Sequence, residues 1–256
     1  MGWIVAFTLF GGVLSVLAAS LFLMASASLR RRLVPHLVSF ATGTLLGAAL
    51  LGLLPHAIES AGEHNVHNIG LAVLGGILLF FVLEKLVLWR HCHHDDCEAH
   101  APDDHQRDAA SASMVLLGDG LHNLIDGVLI AAAFLTDIRL GIVTSMAAIA
   151  HEIPQEIGEF AVLLNGGMSR RKAMLSNVLI SLTTVVGGIV AYFALARAGA
   201  ALPYVLAVAA SSFLYVAVAD LIPGLHRRFD ARTSVVQVAL IALGVVLIYV
   251  SHSAAH

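Results

Sequence analysis

Apolar residues fall in eight long stretches, at roughly 3–24, 34–55, 69–89, 111–136, 139–164, 170–196, 201–222 and 234–252. Each is close to the run of about 20 residues that an α-helix needs to cross the hydrocarbon core of a bilayer. The intervening breaks carry charge, Gly or Pro, where helix ends are expected. The pattern predicts an all-α polytopic membrane protein with eight transmembrane helices, residues 1–256 forming a single membrane domain. The first run has no positive residue before it and Arg30, Arg31 and Arg32 after it. A secretory signal has the reverse polarity, so this run is expected to stay as a membrane helix.

The basic residues test that division. With the N-terminus outside, the inner ends and loops hold Arg30, Arg31, Arg32, Lys85, Arg90, Arg107, Arg170, Arg171, Lys172, Arg227, Arg228 and Arg232. The outer loops hold only Arg139 and Arg197, which completes the 14 Lys and Arg of the chain. Positive residues concentrate on the cytoplasmic side of membrane proteins, so an even helix count with both termini outside is expected.

A gapless register of 35–55 on 203–223 pairs Pro35 with Pro203, Ala41 with Ala209, Leu46 with Leu214, Ala49 with Ala217, Leu53 with Leu221 and Pro55 with Pro223. The second helix runs outward and the seventh inward in this topology, so the repeat, helices 1–3 against helices 6–8, is inverted. Inverted repeats around a midplane site are a feature of secondary transporters. Gly75-Gly76 and Gly187-Gly188 offer close helix packing in the third and sixth runs.

Two apolar runs are interrupted by polar clusters, Leu121-His-Asn-Leu-Ile-Asp-Gly127 and Ala150-His-Glu-Ile-Pro-Gln-Glu-Ile-Gly-Glu159. At 100° per residue, His122, Asn123 and Asp126 lie at about −60°, +40° and −20° from Asp119, on one stripe. From His151, Glu152, Gln155, Glu156 and Glu159 lie at about 100°, 40°, 140° and 80°, again one-sided. Each charge at membrane depth costs about 2.5–3.5 kcal/mol even on insertion scales. Two facing stripes of imidazole, carboxylate and amide are therefore read as ligands for a divalent metal ion, His122, Asn123, Asp126, His151, Glu152, Gln155 and Glu156 first, with Asp119 and Glu159 along the path. Pro154 frees the carbonyl of Ala150 in the middle of the cluster, and Gly127 and Gly158 are expected to let backbones approach.

Composition narrows the classes further. The chain is 59% hydrophobic and 12% charged with a net charge of −3, and its mean hydropathy is +0.88. That balance suits lipid and points to no nucleic-acid partner. The inner loop from Arg90 to Arg107, within 90–108, holds five His, two Cys and five acidic residues. His91, Cys92, His93, His94 and Cys97 are candidate metal contacts there, a cytoplasmic collector or sensor, and Cys92 and Cys97 are read as soft-metal ligands rather than a disulfide. An intramembrane zinc protease is disfavoured: His151-Glu152 is followed by Gln155 where the His-Glu-x-x-His pattern needs its second His. No enzymatic activity and no prosthetic group are expected.

The residues His122-Asn123-x-x-Asp126 and His151-Glu152-x-Pro154-Gln155-Glu156, in an eight-helix chain with a His-rich third loop, resemble the ZIP (Zrt/Irt-like protein) family of divalent-metal transporters, in a prokaryotic form of its His-Glu-x-Pro-His-Glu subfamily. The resemblance implies a binuclear metal site between the fourth and fifth helices, with Asn177 of the sixth at a position that is a ligand in some relatives. It also implies a 3+2+3 arrangement, a homodimer, and an elevator-like motion of helices one, four, five and six. Three departures stand out. Gln155 replaces a His, His56 follows Pro55 instead of preceding the motif, and the seventh helix lacks a Glu after Pro223, leaving Asp220 as a polar candidate on the path.

The expected activity is uptake of a divalent cation, zinc first, across the plasma membrane (the inner membrane of a bacterium) into the cytoplasm. An inside-negative potential favours entry by about 2.3 kcal/mol per charge per 100 mV. Imidazole and carboxylate suit zinc, and Fe2+, Mn2+ and Cd2+ are alternatives. A metal-sensing or metal-gated channel is the alternative of another class.

Overall fold

Helix ends are set by local chemistry that the sequence carries. Ser26 accepts a hydrogen bond from the Leu29 N–H, and Ser169 one from the Lys172 N–H, each satisfying an otherwise free amide of a first turn. The Asp137 carboxylate accepts from the Arg139 and Leu140 N–H groups. Gly62 and Gly167 take φ of 78° and 82°, a left-handed backbone that glycine adopts without a Cβ penalty.

The computed structural model describes residues 1–92, 104–165, 167–226 and 231–253. Its long helices are α1 (Gly2–Met24), α2 (Ala27–Gly47, continued by a π turn Ala48–Leu53 and by Leu54–Ala61), α3 (Val66–Cys92) and α4 (Asp104–Thr136). They continue with α5 (Ile138–Asn165), α6 (Arg170–Leu195), α7 (Leu202–Tyr215, continued by a π turn Val216–Leu221 and by Ile222–Leu225) and α8 (Ala231–Ser253). Several start or end beyond their apolar runs: α2 begins seven residues before 34 and α4 seven before 111. Backbone hydrogen bonding propagates through Arg as readily as through Leu and tolerates an Asp at a cost below 1 kcal/mol, about 0.7 at most, so hydropathy marks the lipid-crossing part rather than the helix.

Among the described residues, seven helices are long and apolar enough to cross a membrane. The remaining one, α5, matches them in length but carries His151, Glu152, Gln155, Glu156 and Glu159 from its midpoint onward.

The two π turns fall where the repeat predicts equivalence. The register that pairs Pro55 with Pro223 also pairs Ala48 with Val216 and Leu53 with Leu221, so the turns coincide residue for residue. In each, an amide bonds five residues back, Leu54 N–H to the Ala49 carbonyl and Ile222 N–H to the Ala217 carbonyl. The proline that follows at once has no N–H to continue an α register.

The helices sort into two groups by packing. In one, α4 lies along α6 and α5, and α1 packs on α5 and α6; in the other, α2 lies along α8 and α3 along α7. The groups meet where α2 crosses α5 and where α4 touches α7. Small residues let the backbones close up, as expected where lipid supplies no hydrophobic drive. A Cβ on Gly127 would meet the Thr184 carbonyl and the Gly188 N, and one on Gly187 the Leu124 carbonyl. Gly43 and Gly244 do the same between α2 and α8, and Gly76 sits against Ser211. Gly75, by contrast, faces open space. Between the groups runs an apolar core that includes Leu45, Leu53, Leu129, Val143, Leu206 and Phe213.

Candidate metal centre

The polar clusters of α4 and α5 face each other inside the first helix group. His122, Asn123 and Asp126 follow from three- and four-residue steps along α4, which place side chains on one face. The α5 helix continues through Pro154, so the same logic places His151 and Gln155 on adjacent turns.

Three ligand atoms converge. His122 Nε2 is 3.1 Å from His151 Nε2, and Asp126 Oδ2 is 3.3 Å from His151 Nε2 and 3.8 Å from His122 Nε2. For metal–ligand bonds of 2.0–2.1 Å, the edges of a zinc tetrahedron are about 3.3–3.4 Å. The triad therefore already has the spacing of three tetrahedral vertices. His151 Nδ1 lies 3.1 Å from the Ala147 carbonyl, an acceptor for a proton on Nδ1, and in that tautomer Nε2 faces the other two ligand atoms with a lone pair for an ion. Phe213 of α7 stands against the His151 ring, centroids 5.9 Å apart, so the second helix group walls the site.

Around the triad the remaining polar side chains are buried and partly paired. Asn123 donates to Asp119 Oδ1 at 2.6 Å and accepts from the Thr184 hydroxyl at 2.6 Å, so its amide is engaged at both ends. Asn177 donates to Glu156 Oε2 at 2.6 Å, and Gln155 donates to Glu159 Oε1 at 3.1 Å. Asp119, Asp126, Glu152, Glu156, Glu159 and Asn177 each keep one buried oxygen without a hydrogen-bond partner. Buried acceptors lacking donors are costly, and a bound cation could satisfy these six, all of them oxygens. An internal space lined by Gly11 and Gly12 of α1, Asn123, Asp126 and Glu152 adjoins them.

The placement of the sequence candidates divides cleanly. His122, Asp126 and His151 come together as ligand atoms within 4.8 Å of one another, and Asn123, Glu152, Glu156, Asp119 and Asn177 are buried beside them. Gln155 and Glu159 are half-buried and bonded to each other. Asp220 lies exposed in the π turn of α7, and His56 Nδ1 contacts the Gly52 carbonyl at 2.9 Å; neither joins the triad. Gly127 is tightly packed as expected, whereas Gly158 meets nothing within 4 Å, because its face of α5 turns outward. His93, His94 and Cys97 lie outside the described residues, as do the side chains of His91 and Cys92.

Two contributors are hard to see in the sequence. Thr184 completes a buried stripe with Asn177 and Ser181, and that i, i+4, i+7 spacing of polar residues in an apolar helix is the available signal. Phe213 has none, since one aromatic in an apolar run looks like any other.

The chain matches the family model described as ZIP Zinc transporter over residues 2–109 and 89–252. It is 30% identical over 270 residues to "Zinc transporter zipt-7.2" of Caenorhabditis elegans, covering 85% of this chain and 58% of that protein. It is 32% identical over 230 residues to "Zinc transporter ZIP13" of Pongo abelii, covering 83% and 65%. With "Zinc transporter ZIP5" of Homo sapiens it shares 36% over 260 residues, covering 78% and 48%. The chain thus spans between 48% and 65% of the length of these curated relatives.

Proposed function

Because the chain belongs to the ZIP zinc transporter family, we propose that it carries divalent metal ions, zinc first, across a membrane into the cytoplasm. The carrying observation is the His122–Asp126–His151 triad, whose donor atoms have tetrahedral spacing in the middle of otherwise apolar helices. Two nitrogens and a carboxylate oxygen suit Zn2+, and the oxygen-rich surroundings extend the range to Fe2+, Mn2+ and Cd2+. A second ion beside the first is part of the reading. One divalent ion leaves several of the carboxylates Asp119, Asp126, Glu152, Glu156 and Glu159 uncompensated, and each of them keeps a buried oxygen without a hydrogen-bond partner.

Movement is proposed as an elevator of α1, α4, α5 and α6 against α2, α3, α7 and α8, the two groups that packing separates. Exchanging α1 with α6, α2 with α7, α3 with α8 and α4 with α5 maps the packing pattern onto itself: α4–α6 becomes α5–α1, and α2–α8 becomes α7–α3. That exchange, with the coincident π turns, supports an inverted repeat in a 3+2+3 order. The asymmetry of basic residues supports termini outside; a plasma-membrane location is part of the same reading, with an inside-negative potential drawing the ion inward. Assembly as a homodimer and capture of ions by the His/Cys-rich loop at 90–108 belong to the same reading.

The test is uptake by the purified full chain in proteoliposomes under a set potential. Wild type is expected to load Zn2+ with saturable kinetics, and His151→Ala and Glu152→Ala to abolish loading at equal incorporation. Transport at the wild-type rate in either variant overturns the site. Unitary single-channel currents would replace the carrier with a channel.

A further inference from the structure

The His151 ring is held from two directions. From its own helix group come the Ala147 carbonyl, 3.1 Å from Nδ1, and the His122 ring, edge-on at 87° with centroids 5.4 Å apart. From the other group comes Phe213 of α7, at 63° to the imidazole with centroids 5.9 Å apart, inside the range of about 4.5–7 Å for edge-to-face aromatic pairs. Phe213 is the largest fully buried side chain among the described residues. Ala209, Ala210 and Ala217, at three- and four-residue steps along α7, share its buried face. The backbone of α7 lies against α4 rather than α5, so the ring spans the remaining distance to His151. The inverted repeat supplies a comparison. The register that pairs Pro55 with Pro223 pairs Leu45 with Phe213, and Leu45 is equally buried in the same core. An aliphatic side chain therefore serves to fill the core between the groups, and the aromatic one stands where an imidazole is the neighbour.

We propose that Phe213 is a positioning residue of the ion site: from the second helix group it fixes the ring plane of His151, so that Nε2 stays aimed at the ion. Phe213 is no ligand, since its ring offers no lone pair. The torsion that turns an imidazole about its own axis is a soft one. The Nδ1 contact restrains one edge of the ring, and the flat face of Phe213 blocks the swing that remains. A leucine fills space at the same place but presents a branched, rotating end instead of a wall. A ligand whose ring is already oriented loses less freedom when the ion binds. The affinity of the site thus depends on a side chain that belongs to the helix group opposite the ligands. The inference rests on the reading of His122, Asp126 and His151 as ion ligands, and adds a residue that stands outside that set.

Zn2+ affinity of the purified full chain is measured by competition with a chromophoric chelator, and the 113Cd resonance of the Cd2+-loaded protein reports the geometry at the triad. Phe213→Leu installs the residue of the repeat-related position. It is expected to weaken Zn2+ by about 10-fold, the lower end of the cost of losing an orienting partner, and to move the 113Cd resonance. Leu206→Val trims the same core two turns along α7, and is expected to lower the melting temperature while affinity and resonance stay at wild-type values. Two double variants locate the effect. Combined with His151→Ala, Phe213→Leu is expected to weaken Zn2+ no further; combined with His122→Ala, it still weakens Zn2+ by about 10-fold. Should Phe213→Leu not fold, Phe213→Met takes its place with the same expectations. Wild-type affinity in the folded variant, a loss undiminished in the His151→Ala background, or an equal loss in Leu206→Val overturns the inference and leaves the transport reading standing. Absence of Zn2+ binding in wild type overturns that reading itself.

Discussion

His122 and His151, on neighbouring helices, hold their Nε2 atoms 3.1 Å apart with the rings nearly perpendicular, at 87°. Their support differs. His151 is 1% exposed and anchored through Nδ1 to the Ala147 carbonyl, whereas the His122 side chain is 19% exposed. A ligand whose ring is already oriented loses less freedom on binding. His151→Ala is therefore expected to weaken Zn2+ by more than about 100-fold and His122→Ala by nearer 10-fold, beyond and within the range of orienting-group losses. Competition against a chromophoric zinc chelator measures both, and equal or reversed losses would contradict the asymmetry.

The triad leaves one vertex of a zinc tetrahedron to fill. Gln155 follows His151 by four residues, one turn along the same face, and its Nε2 is drawn to Glu159. Gln155→His places an imidazole there, and nitrogen suits zinc better than a neutral amide oxygen does. Affinity for Zn2+ is expected to rise at least about tenfold while that for Mn2+, which prefers oxygen, does not. Parallel titrations with the two metals check this; a matched rise for Mn2+ would remove Gln155 from the ligand shell.

Much of the fold and of the site is legible in the chain, and the remainder has physical reasons for being hidden. Eight helices can be read because a bilayer imposes about 20 apolar residues per crossing. The triad can be read because His122, Asp126 and His151 break that rule at helical spacing. The repeat is visible through Pro35, Pro55, Pro203 and Pro223, but the π turns beside two of them are not, since a π turn has no residue signature beyond the proline that comes after it. What each amide is tied to is also invisible in one dimension. Asn123 is tied by Thr184, 61 residues away, and Asn177 by Glu156, 21 away, and only packing brings these together. Gly127 and Gly158 look alike in sequence and differ entirely in surroundings.

That difference makes a direct test of packing. A Cβ at position 127 would run into the Thr184 carbonyl and come within 2.8 Å of the Gly188 N, neither of which is a flexible side-chain end. Gly127→Ala is expected to separate α4 from α6 at a cost of about 1–3 kcal/mol, the usual penalty for overpacking. Gly158→Ala meets open space and gains helix propensity, worth about 0.5–1 kcal/mol in stability. Thermal unfolding in one detergent should move the two melting temperatures in opposite directions. A stable Gly127→Ala variant would mean that α4 and α6 pack less closely than described.

Outside the metal centre, Tyr215 donates its hydroxyl to Glu84, joining α7 to α3 one residue before the π turn. The Glu84 carboxylate is half-buried in an apolar helix, where an acceptor deprived of its donor is costly. Tyr215→Phe removes the hydroxyl but keeps the ring, which also packs on Phe80 at 6.4 Å, so the comparison isolates the hydrogen bond. The expected loss is about 1–3 kcal/mol, which at about 2–4 °C per kcal/mol is a readily measured fall in melting temperature. Glu84→Gln retains an acceptor for the hydroxyl and carries no charge, so it is expected to melt near wild type. Stoichiometry of Cd2+ binding should be unchanged in both, because neither residue reaches the triad. A Tyr215→Phe variant that melts with wild type would show that α3 is held on α7 by packing around Gly76 and Ser211 alone.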